Sequence, residues 1–462
     1  MPEWSEEVLK DIVGQLFIVG FHGYIANDNI KELITKYRVG SVVLFQRNVQ
    51  NATQLRELTN SLQQIARDAG HSHDLLIAID QENGLVTRIK PPIATQLPGA
   101  MTLAATRDPE NAYMTACATA QTLKAFGINM NYGPVADVNS EPKNPVIGVR
   151  SPSDKFDLVG TYVSRQIKGF EKIGVASCVK HWPGHGDTSE DQILAKLPAS
   201  LNPLAIRPLR QHFKFKGLII SDCLEMDGNM EESLERVNIL KSKYAPRAAL
   251  FPINLPELQR QNEEQERLAS QIYAKSTTVV RSSLGVTTTS SGILQLPKLP
   301  EDGTKIVFLS PKKGSVGGAV ESGEEKTRVP HTPKEYINLL RTKNRDIKHI
   351  EYDKALSRHD SKSVDDAEIV ILATRNAIIN TEQKALGLHW GKKLGERLIV
   401  IATCDPYDFM EDAELIKNYI TIYEPTIPAF QAAVNLLFGD IEPGGPFGSL
   451  PVGHEILIQA IH

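Results

Sequence analysis

The sequence contains few cysteines and no long apolar run, and each shortage excludes a class of protein. Its four cysteines lie far apart in the 462 residues, with no Cys-x-x-Cys pair: Cys117, Cys178, Cys223 and Cys404. This spacing argues against a disulfide framework or a cysteine-rich zinc site and predicts reduced, mostly buried thiols in an intracellular protein. No run approaches the roughly 18 apolar residues that a membrane-spanning helix needs, so we expect no membrane partner.

The charge of the chain is nearly balanced. Lys and Arg number 51 against 55 for Asp and Glu, which gives a net charge of −4. This balance offers no electrostatic reason to expect nucleic acid as a partner. Residues 1–7 are acidic and polar, whereas a secretory signal needs a basic start and an apolar core, so a cytoplasmic location is expected.

The first half of the chain alternates short apolar runs with amphipathic helical stretches. Six runs rich in Val, Ile and Leu are typical of buried strands: 15–21, 41–45, 75–80, 128–137, 175–181 and 217–222. Helical patterns lie between them, for example over 52–69, 108–126 and 154–173. This alternation predicts βαβ units and a parallel sheet.

Three of these runs end in polar, reactive residues. Asp80, the pair Lys180 and His181, and Asp222 each stand at the end of a run. In a β/α barrel the carboxyl ends of the strands build the active site, so these side chains are predicted to converge there. The alternative is that each residue only caps the helix that follows.

A change of composition divides the chain. Residues 286–300 are predicted to form a linker between a first domain over 1–285 and a second over 301–455. Five further apolar runs follow the linker, at 305–309, 347–352, 367–373, 397–403 and 419–423. They predict a smaller open α/β layer in the second half of the chain.

Residues 180–188 (KHWPGHGDT) form the most specific stretch of the sequence. Two basic side chains leave a strand, and glycines then bend the chain around a second histidine and an aspartate. Close backbone approach at the glycines suits a pocket that holds a polar ligand. The rival interpretation is a metal site with His181, His185 and Asp187 as ligands. No matching ligand group stands out elsewhere, so we predict no metal.

This stretch and several others resemble family 3 glycoside hydrolases. The PGHGDT form is typical of the β-N-acetylglucosaminidase branch rather than the β-glucosidase branch. Matching segments of the first half are AIDQENG at 78–84, NYGPVADV at 131–138, PVIGVRS at 145–151, PASL at 198–201 and ISDCLEM at 220–226. In the second half, DPYD at 405–408, YEP at 423–425 and GSLPV at 448–452 resemble the α/β sandwich domain that often follows the barrel.

The resemblance implies a retaining hydrolase with a (β/α)8-type TIM barrel, here incomplete, followed by a smaller α/β sandwich domain. In such an enzyme a carboxylate attacks the anomeric carbon, and water resolves the covalent glycosyl-enzyme. Asp222 holds the position of the family nucleophile. The positions that bind the sugar map onto the following residues: Asp80, Arg150, Lys180, His181 and the neighbouring His185. The implied partner is a glycoside that contains N-acetylglucosamine, and no cofactor is implied.

The sequence departs from the family at the proton donor and in its length. The branch uses a histidine two residues after an aspartate as general acid/base. Here Asp191 is present, and Ile193, which cannot carry a proton, stands in the place of the histidine. Only 35 residues separate His181 from Gly217, which leaves room for one crossover between parallel strands and not for two. We therefore expect an open or distorted barrel, with an exposed edge or a gap filled by helix.

Two explanations of the shortened barrel stay open. The chain is either a natural degenerate paralogue or the product of a gene model that lost coding segments at the joins 192–193 and 228–229. Three functions also stay open. We expect hydrolysis of terminal β-linked N-acetylglucosamine with impaired activity. The alternatives are an inactive sugar-binding or interaction protein and a β-glucosidase whose acid is a glutamate of the second domain. The chain is expected to be a monomer or a homodimer.

Overall fold

The structure is a computed structural model with two layers, each built around its own sheet. The residues it describes are 5–184, 186–187, 207–221, 230–284, 287–288, 294–295, 298–301, 303–312, 333–440 and 450–452. We call the part around the first sheet the barrel layer and the part around the larger sheet the second layer.

The barrel layer follows the order of the sequence. Its strands are β1 (Ile18–Gly20), β2 (Ser41–Leu44), β3 (Leu76–Ile79), β4 (Met130–Asn131) and β5 (Ala176–Ser177). Its helices are α1 (Glu6–Gln15), α2 (Asp28–Thr35), α3 (Ala52–Asp68), α4 (Ala100–Ala105), α5 (Pro109–Ala125), α6 (Phe156–Ile173) and α7 (Met230–Tyr244). Consecutive strands are neighbours, and every pair is parallel. This is the order of a TIM-type barrel wall and confirms the predicted fold class.

The strands of the barrel layer present alternate side chains to two faces. Ile77 and Ile79 are fully buried in a cluster with residues of α2, α3 and α5. Ala78 and Met130 lie in a separate cluster on the opposite, inner side. This alternation is what the two-residue period of a strand dictates when both faces of a sheet are covered.

Helix α7 covers part of the inner side of the barrel layer. Its Leu240 and Tyr244 pack against the inner residues of β3, β4 and β5. The same helix buries Lys241, whose ammonium group donates to Gln15 Oε1 at 2.6 Å. Of the outcomes expected for a shortened barrel, the described residues show helix packed on the inner side of the sheet, where α7 contacts β3, β4 and β5.

The prediction of a sixth strand over 217–222 is wrong for residues 217–221, the part of it that the structure describes. Residues 217–221 are not in a strand, and β5 pairs with β4 alone among the described strands. A strand needs a neighbour that shares its backbone hydrogen bonds, and none of the described strands pairs with residues 217–221. The carbonyl of Gly217 instead accepts from Arg210 Nη1 at 2.7 Å. Ile220 nevertheless packs on the inner side.

All five strands predicted for the second half are present in the second layer. Its strands are β6 (Thr278–Arg281), β9 (Ile306–Pro311), β10 (Lys348–Tyr352), β11 (Ile369–Thr374), β12 (Leu398–Ala402) and β13 (Asn418–Thr421). The order is β10-β9-β11-β12-β13-β6, with β6 alone antiparallel. The five parallel strands have the order of an open doubly wound sheet.

Helices lie on both faces of the second sheet. They are α8 (Leu255–Ser276), α9 (Pro333–Arg341), α10 (Arg358–Asp365), α11 (Thr381–Leu394) and α12 (Ile427–Phe438). A two-residue antiparallel pair, β7 (Thr287–Thr288) with β8 (Leu294–Gln295), lies inside the predicted linker. Strand β6 comes before that linker yet belongs to the second sheet, and the boundary at residue 285 stays a prediction.

One apolar core connects the two layers. Leu97 and Ala118 of the barrel layer share a buried cluster with Tyr273 of α8 and with Phe308 and Phe430 of the second layer. The two layers are thus joined by side-chain packing as well as by the covalent connection of the chain. None of the described helices combines the length and the apolar content needed to cross a membrane.

Candidate active site

Asp80, Arg150 and Lys180 are brought together at the carboxyl ends of the barrel strands. Asp80 directly follows β3, and Lys180 follows β5. Arg150 ends a short 3₁₀ turn, Gly148–Arg150, in the connection after β4. The carboxyl ends of parallel strands meet at one edge of the sheet, so these three residues face each other.

A fourth residue, Glu82, joins them into one ion network. Lys180 Nζ lies 2.8 Å from Asp80 Oδ1 and 2.5 Å from Glu82 Oε1. Arg150 donates from Nε and from Nη2 to the two oxygens of Glu82, both at 2.8 Å. Arg88 Nη2 lies 3.8 Å from Asp80 Oδ2. The sequence did not identify Glu82 as a site residue, although it lies in the AIDQENG segment.

The network keeps its charges although water is largely excluded. The side chain of Glu82 is 6% exposed, and burial alone would raise its pKa. The charges and hydrogen bonds of Arg150 and Lys180 outweigh burial and hold the pKa of Glu82 well below its ordinary value. Burial would lower the pKa of Lys180, but Glu82 and Asp80 raise it. Both groups are therefore ionised at neutral pH.

A second pair lies beside the network. His181 Nδ1 and Asp137 Oδ2 are 2.6 Å apart, and the same oxygen accepts from the backbone N–H of His181 at 3.2 Å. The side chain of Asp137 is fully buried, whereas that of His181 is 25% exposed. Asp137 thereby orients the imidazole, with Nδ1 facing the carboxylate. The sequence does not single out Asp137, because the apolar run predicts one strand over 128–137, whereas β4 ends at Asn131.

The glycines of the KHWPGHGDT stretch allow the loop to approach this pair. Gly184 has a φ of +103°, and a Cβ atom there would lie 2.9 Å from Asp137 Oδ1. A Cβ atom on Gly186 would overlap the backbone of Val138. A larger residue at Gly184 would push the loop away from Asp137, and one at Gly186 would push it away from Val138.

An exposed aromatic pair borders the site. Trp182, which directly follows His181, is 42% exposed and meets Phe213 edge to face, with ring centroids 5.7 Å apart. Phe213 is 60% exposed. Rings of this kind offer an apolar face beside polar groups.

Three of the predicted site residues, His185, Asp191 and Asp222, lie outside the described residues, as does Ile193. Within the described part, no group of three or more His, Cys, Asp or Glu side chains is placed to hold a metal ion. The described network is chemically suited to a polyhydroxy ligand. Lys180 retains one N–H that no described residue accepts, and Asp80 retains acceptor positions, so one hydroxyl could both donate and accept here.

The chain is similar in sequence to a family of known proteins. The model of the glycosyl hydrolase family 3 N-terminal domain matches residues 8–194. β-Hexosaminidase A of Pseudoalteromonas piscicida is 46% identical over 165 residues, which cover 35% of this chain and 28% of that protein. The β-hexosaminidase of Photobacterium profundum is 32% identical over 248 residues, which cover 45% of this chain and 72% of that protein.

The similarity of structure extends over both layers. A glycoside hydrolase family 3 β-N-acetylglucosaminidase from Paenibacillus sp. str. FPU-7 superposes with a TM-score of 0.79 and 27% sequence identity. The superposition covers 96% of this chain and 98% of that one. The chain spans little more than a quarter of the Pseudoalteromonas relative but most of the Photobacterium relative. By its sequence and its fold, this chain belongs to glycosyl hydrolase family 3.

Proposed function

We propose that the protein is a retaining glycosidase that acts on terminal β-linked N-acetylglucosamine, with a weakened proton-donation step. The observation that carries this proposal is the ion network of Asp80, Glu82, Arg150 and Lys180 at the carboxyl ends of the barrel strands. Its relatives named β-hexosaminidase and β-N-acetylglucosaminidase support the choice of sugar.

In the proposed mechanism the network binds the non-reducing sugar. Asp80 accepts hydrogen bonds from sugar hydroxyls, and the free N–H of Lys180 donates to one of them. Arg150 spends three of its five donors on Glu82 and on the carbonyl of Val146, which leaves one N–H on each terminal nitrogen for the ligand. Glu82 keeps the two cations side by side.

The chemical step is proposed for Asp222. Its carboxylate attacks the anomeric carbon, the bond to the leaving oxygen breaks, and water then releases the sugar. A leaving alkoxide needs a proton, whereas a nitrophenolate departs without one. Ile193 cannot supply that proton, so Asp191 or His185 is proposed to replace the missing histidine in part.

The test compares two substrates in two forms of the chain. We expect the unaltered protein to cleave a nitrophenyl β-N-acetylglucosaminide and to cleave the corresponding disaccharide poorly. In an Ile193→His variant, kcat/KM for the disaccharide should rise by about 10²- to 10⁴-fold, the usual contribution of a general acid. Efficient cleavage of the disaccharide by the unaltered chain would show that another acid is present and would refute this account of the weakened step.

The nucleophile has its own test. An Asp222→Ala variant that folds normally should lose cleavage of the aryl substrate altogether. An Asp222→Ala variant that retains this activity would contradict the assignment.

A second candidate function is sugar binding without turnover. The described network on the loops after β3, β4 and β5 supplies both hydrogen-bond donors and acceptors for a sugar, and binding through it needs no contribution from the chemical step. Binding of N-acetylglucosamine with no cleavage of the aryl substrate would support this function over the enzyme. The cytoplasmic location and the monomeric or homodimeric state stay predictions.

A further inference from the structure

Glu424 of the second layer reaches into the barrel layer. It follows β13, is fully buried, and has four hydrogen-bond donors around its carboxylate. Oε2 accepts from the backbone N–H of Gly99 at 2.8 Å and from Thr102 Oγ1 at 2.9 Å. Oε1 accepts from Tyr273 Oη at 2.6 Å and from Thr426 Oγ1 at 3.1 Å. This carboxylate therefore ties the two layers together.

The same carboxylate lies against the loop that carries Glu82. Gly84, two residues further along that loop, has a φ of +55°, and a Cβ atom there would lie 3.0 Å from Glu424 Oε2. The N–H of Gly84 donates to the carbonyl of Leu97, next to the Gly99 segment that Glu424 binds. The position of Glu424 thus limits where the Glu82 loop can lie.

A second contact reaches the other side of the ion network. Asn139 Nδ2 donates to Tyr407 Oη at 3.3 Å. A Cβ atom on Gly148 would lie 3.3 Å from Asp405 Oδ1. Asn139 is two residues after Asp137, and Gly148 is two residues before Arg150. The loop after β12 therefore supports the segments that carry these two site residues.

The chemistry of Glu424 is that of a structural acceptor. Burial raises the pKa of Glu424, and the hydroxyl and amide donors around it oppose that effect. With every oxygen engaged, the carboxyl group is not free to protonate a leaving group in the barrel. A glutamate of the second layer as the catalytic acid, the requirement of the β-glucosidase alternative, is not met by Glu424.

We propose that the second layer sets the affinity of the sugar site by packing against the loops that carry the site residues. Glu424 is a positioning residue for the Glu82 loop, and Tyr407 is a positioning residue for the Asp137 segment. The identity of the ligand rests on the proposed function, whereas the positioning itself does not. Neither residue contacts the sugar. Each acts through a loop whose side chains do.

The experiment compares four variants of the full chain: Glu424→Ala, Glu424→Gln, Tyr407→Phe and the control Tyr352→Phe. Glu424→Ala leaves the donors of Gly99, Thr102 and Tyr273 without an acceptor. Glu424→Gln should keep the contacts between the two layers, because the amide oxygen still accepts from Gly99 and the amide NH2 can donate to the hydroxyls of Tyr273 and Thr426. Tyr352→Phe is the matched control, since it removes two buried hydrogen bonds within the second layer, from Tyr352 Oη to the carbonyl of Ala373 at 2.8 Å and to Gln383 Oε1 at 3.3 Å.

Two quantities are measured for each variant: the dissociation constant for N-acetylglucosamine, by calorimetry, and amide hydrogen exchange over residues 82–88 and 137–140. In Glu424→Ala we expect binding to weaken about tenfold or more, since a displacement of about 1 Å at a site can cost up to 10²-fold. Exchange over 82–88 should quicken in the same variant. Glu424→Gln and Tyr352→Phe should keep both quantities within about threefold of the unaltered chain, and Tyr407→Phe should quicken exchange over 137–140.

The outcomes separate the two proposals. If the unaltered chain does not bind N-acetylglucosamine, the proposed function fails, and the exchange data alone decide whether Glu424 positions the loop. If exchange over 82–88 is the same in Glu424→Ala as in the unaltered chain, or changes equally in Tyr352→Phe, the inference is overturned. Faster exchange without loss of affinity would overturn the link to sugar binding.

Discussion

Glu82 carries no assigned contact with the ligand, yet the charge balance of the site depends on it. Its carboxylate is the shared partner of Arg150 and Lys180, both of which are mostly buried. Two cations held this close repel each other unless a counter-charge lies between them. Breaking such a buried pair is costly, because a charge is left without compensation.

We expect Glu82→Gln to lower the free energy of unfolding by about 3 kcal/mol at pH 7, the lower end of what loss of a buried ion partner costs. The folded pKa of Glu82 lies well below the ordinary 4.5, so its stabilisation is present above that pH and is lost as the pH falls further. The difference in the free energy of unfolding between Glu82→Gln and the unaltered chain should therefore shrink as the pH falls from 5 to about 3. Urea unfolding at several pH values measures this.

The matched control is Glu171→Gln. Glu171 forms an exposed ion pair with Lys243 at 2.8 Å, and exposed pairs contribute little because water already solvates both charges. We expect no measurable change in this variant. Equal losses in the two variants would contradict the role given to Glu82.

The contribution of Asp405 to stability has the opposite pH dependence from that of Glu82. Burial and the neighbouring Asp408 raise its pKa to about 8, while Arg375 works against them. A carboxyl group with a raised folded pKa favours folding below its ordinary value of 3.8, and this advantage is lost as the pH rises toward 8. Between pH 5 and 8 the stability of the unaltered chain should fall, by up to about 1.4 kcal/mol per pH unit for a single group. An Asp405→Asn variant should show a flatter profile, and an unchanged profile would contradict the assignment.

Among the elements, α7 is the helix that packs on the inner face of the barrel layer's sheet. A parallel sheet is stable only with both faces covered. Outer helices cover one face of this sheet, and α7 covers part of the other with Leu240 and Tyr244. A helix can take over the packing of missing strands, although it cannot take over their backbone pairing.

We expect Leu240→Ala to destabilise the protein by about 2 kcal/mol, the lower end for leucine truncation, because this partly buried side chain packs against the sheet and its loss leaves a gap there. The control lies one residue earlier on the same helix. Ile239 is 63% exposed, so Ile239→Ala should change stability little. Light scattering on warming should also show earlier aggregation of Leu240→Ala, as its inner sheet face becomes accessible. Indistinguishable behaviour of the two variants would mean that α7 does not cover the sheet in solution.

The two sets of strands differ in how well the sequence predicts them. The five runs of the second half become strands because each is apolar on both sides and has neighbours to pair with. The run at 217–222 has the same composition, but strand formation depends on a partner, which no local pattern reveals. Glu82 was missed for a related reason: it lies two residues beyond the strand end, and its role depends on Arg150, 68 residues away. Local patterns also do not indicate that α7 packs on the inner face of the sheet, because that contact joins residues far apart in the sequence.

At the scale of the whole molecule, the two layers are expected to unfold together. Strand β6 leaves the first part of the chain and pairs in the second sheet, and the apolar cluster around Tyr273 spans both layers. Unfolding one layer would expose apolar surface of the other, which makes partial unfolding unfavourable.

Tryptophan fluorescence can test this for each layer. Trp182 lies in the barrel layer, and Trp390 lies buried in the second. With Trp4 also replaced by Phe, Trp390→Phe and Trp182→Phe variants each retain one reporter, and their urea transitions should coincide. Midpoints that differ clearly would show that the layers unfold independently.

The position of α7 in the chain also has a consequence for biosynthesis. The ribosome releases β1 to β5 before α7 is made, so the inner face of the sheet stays exposed for a few seconds at about 5–20 residues per second. An uncovered apolar sheet face is a substrate for holding chaperones. The nascent chain arrested after residue 184 should therefore be bound by a holding chaperone, and the chain arrested well beyond residue 244 should be released.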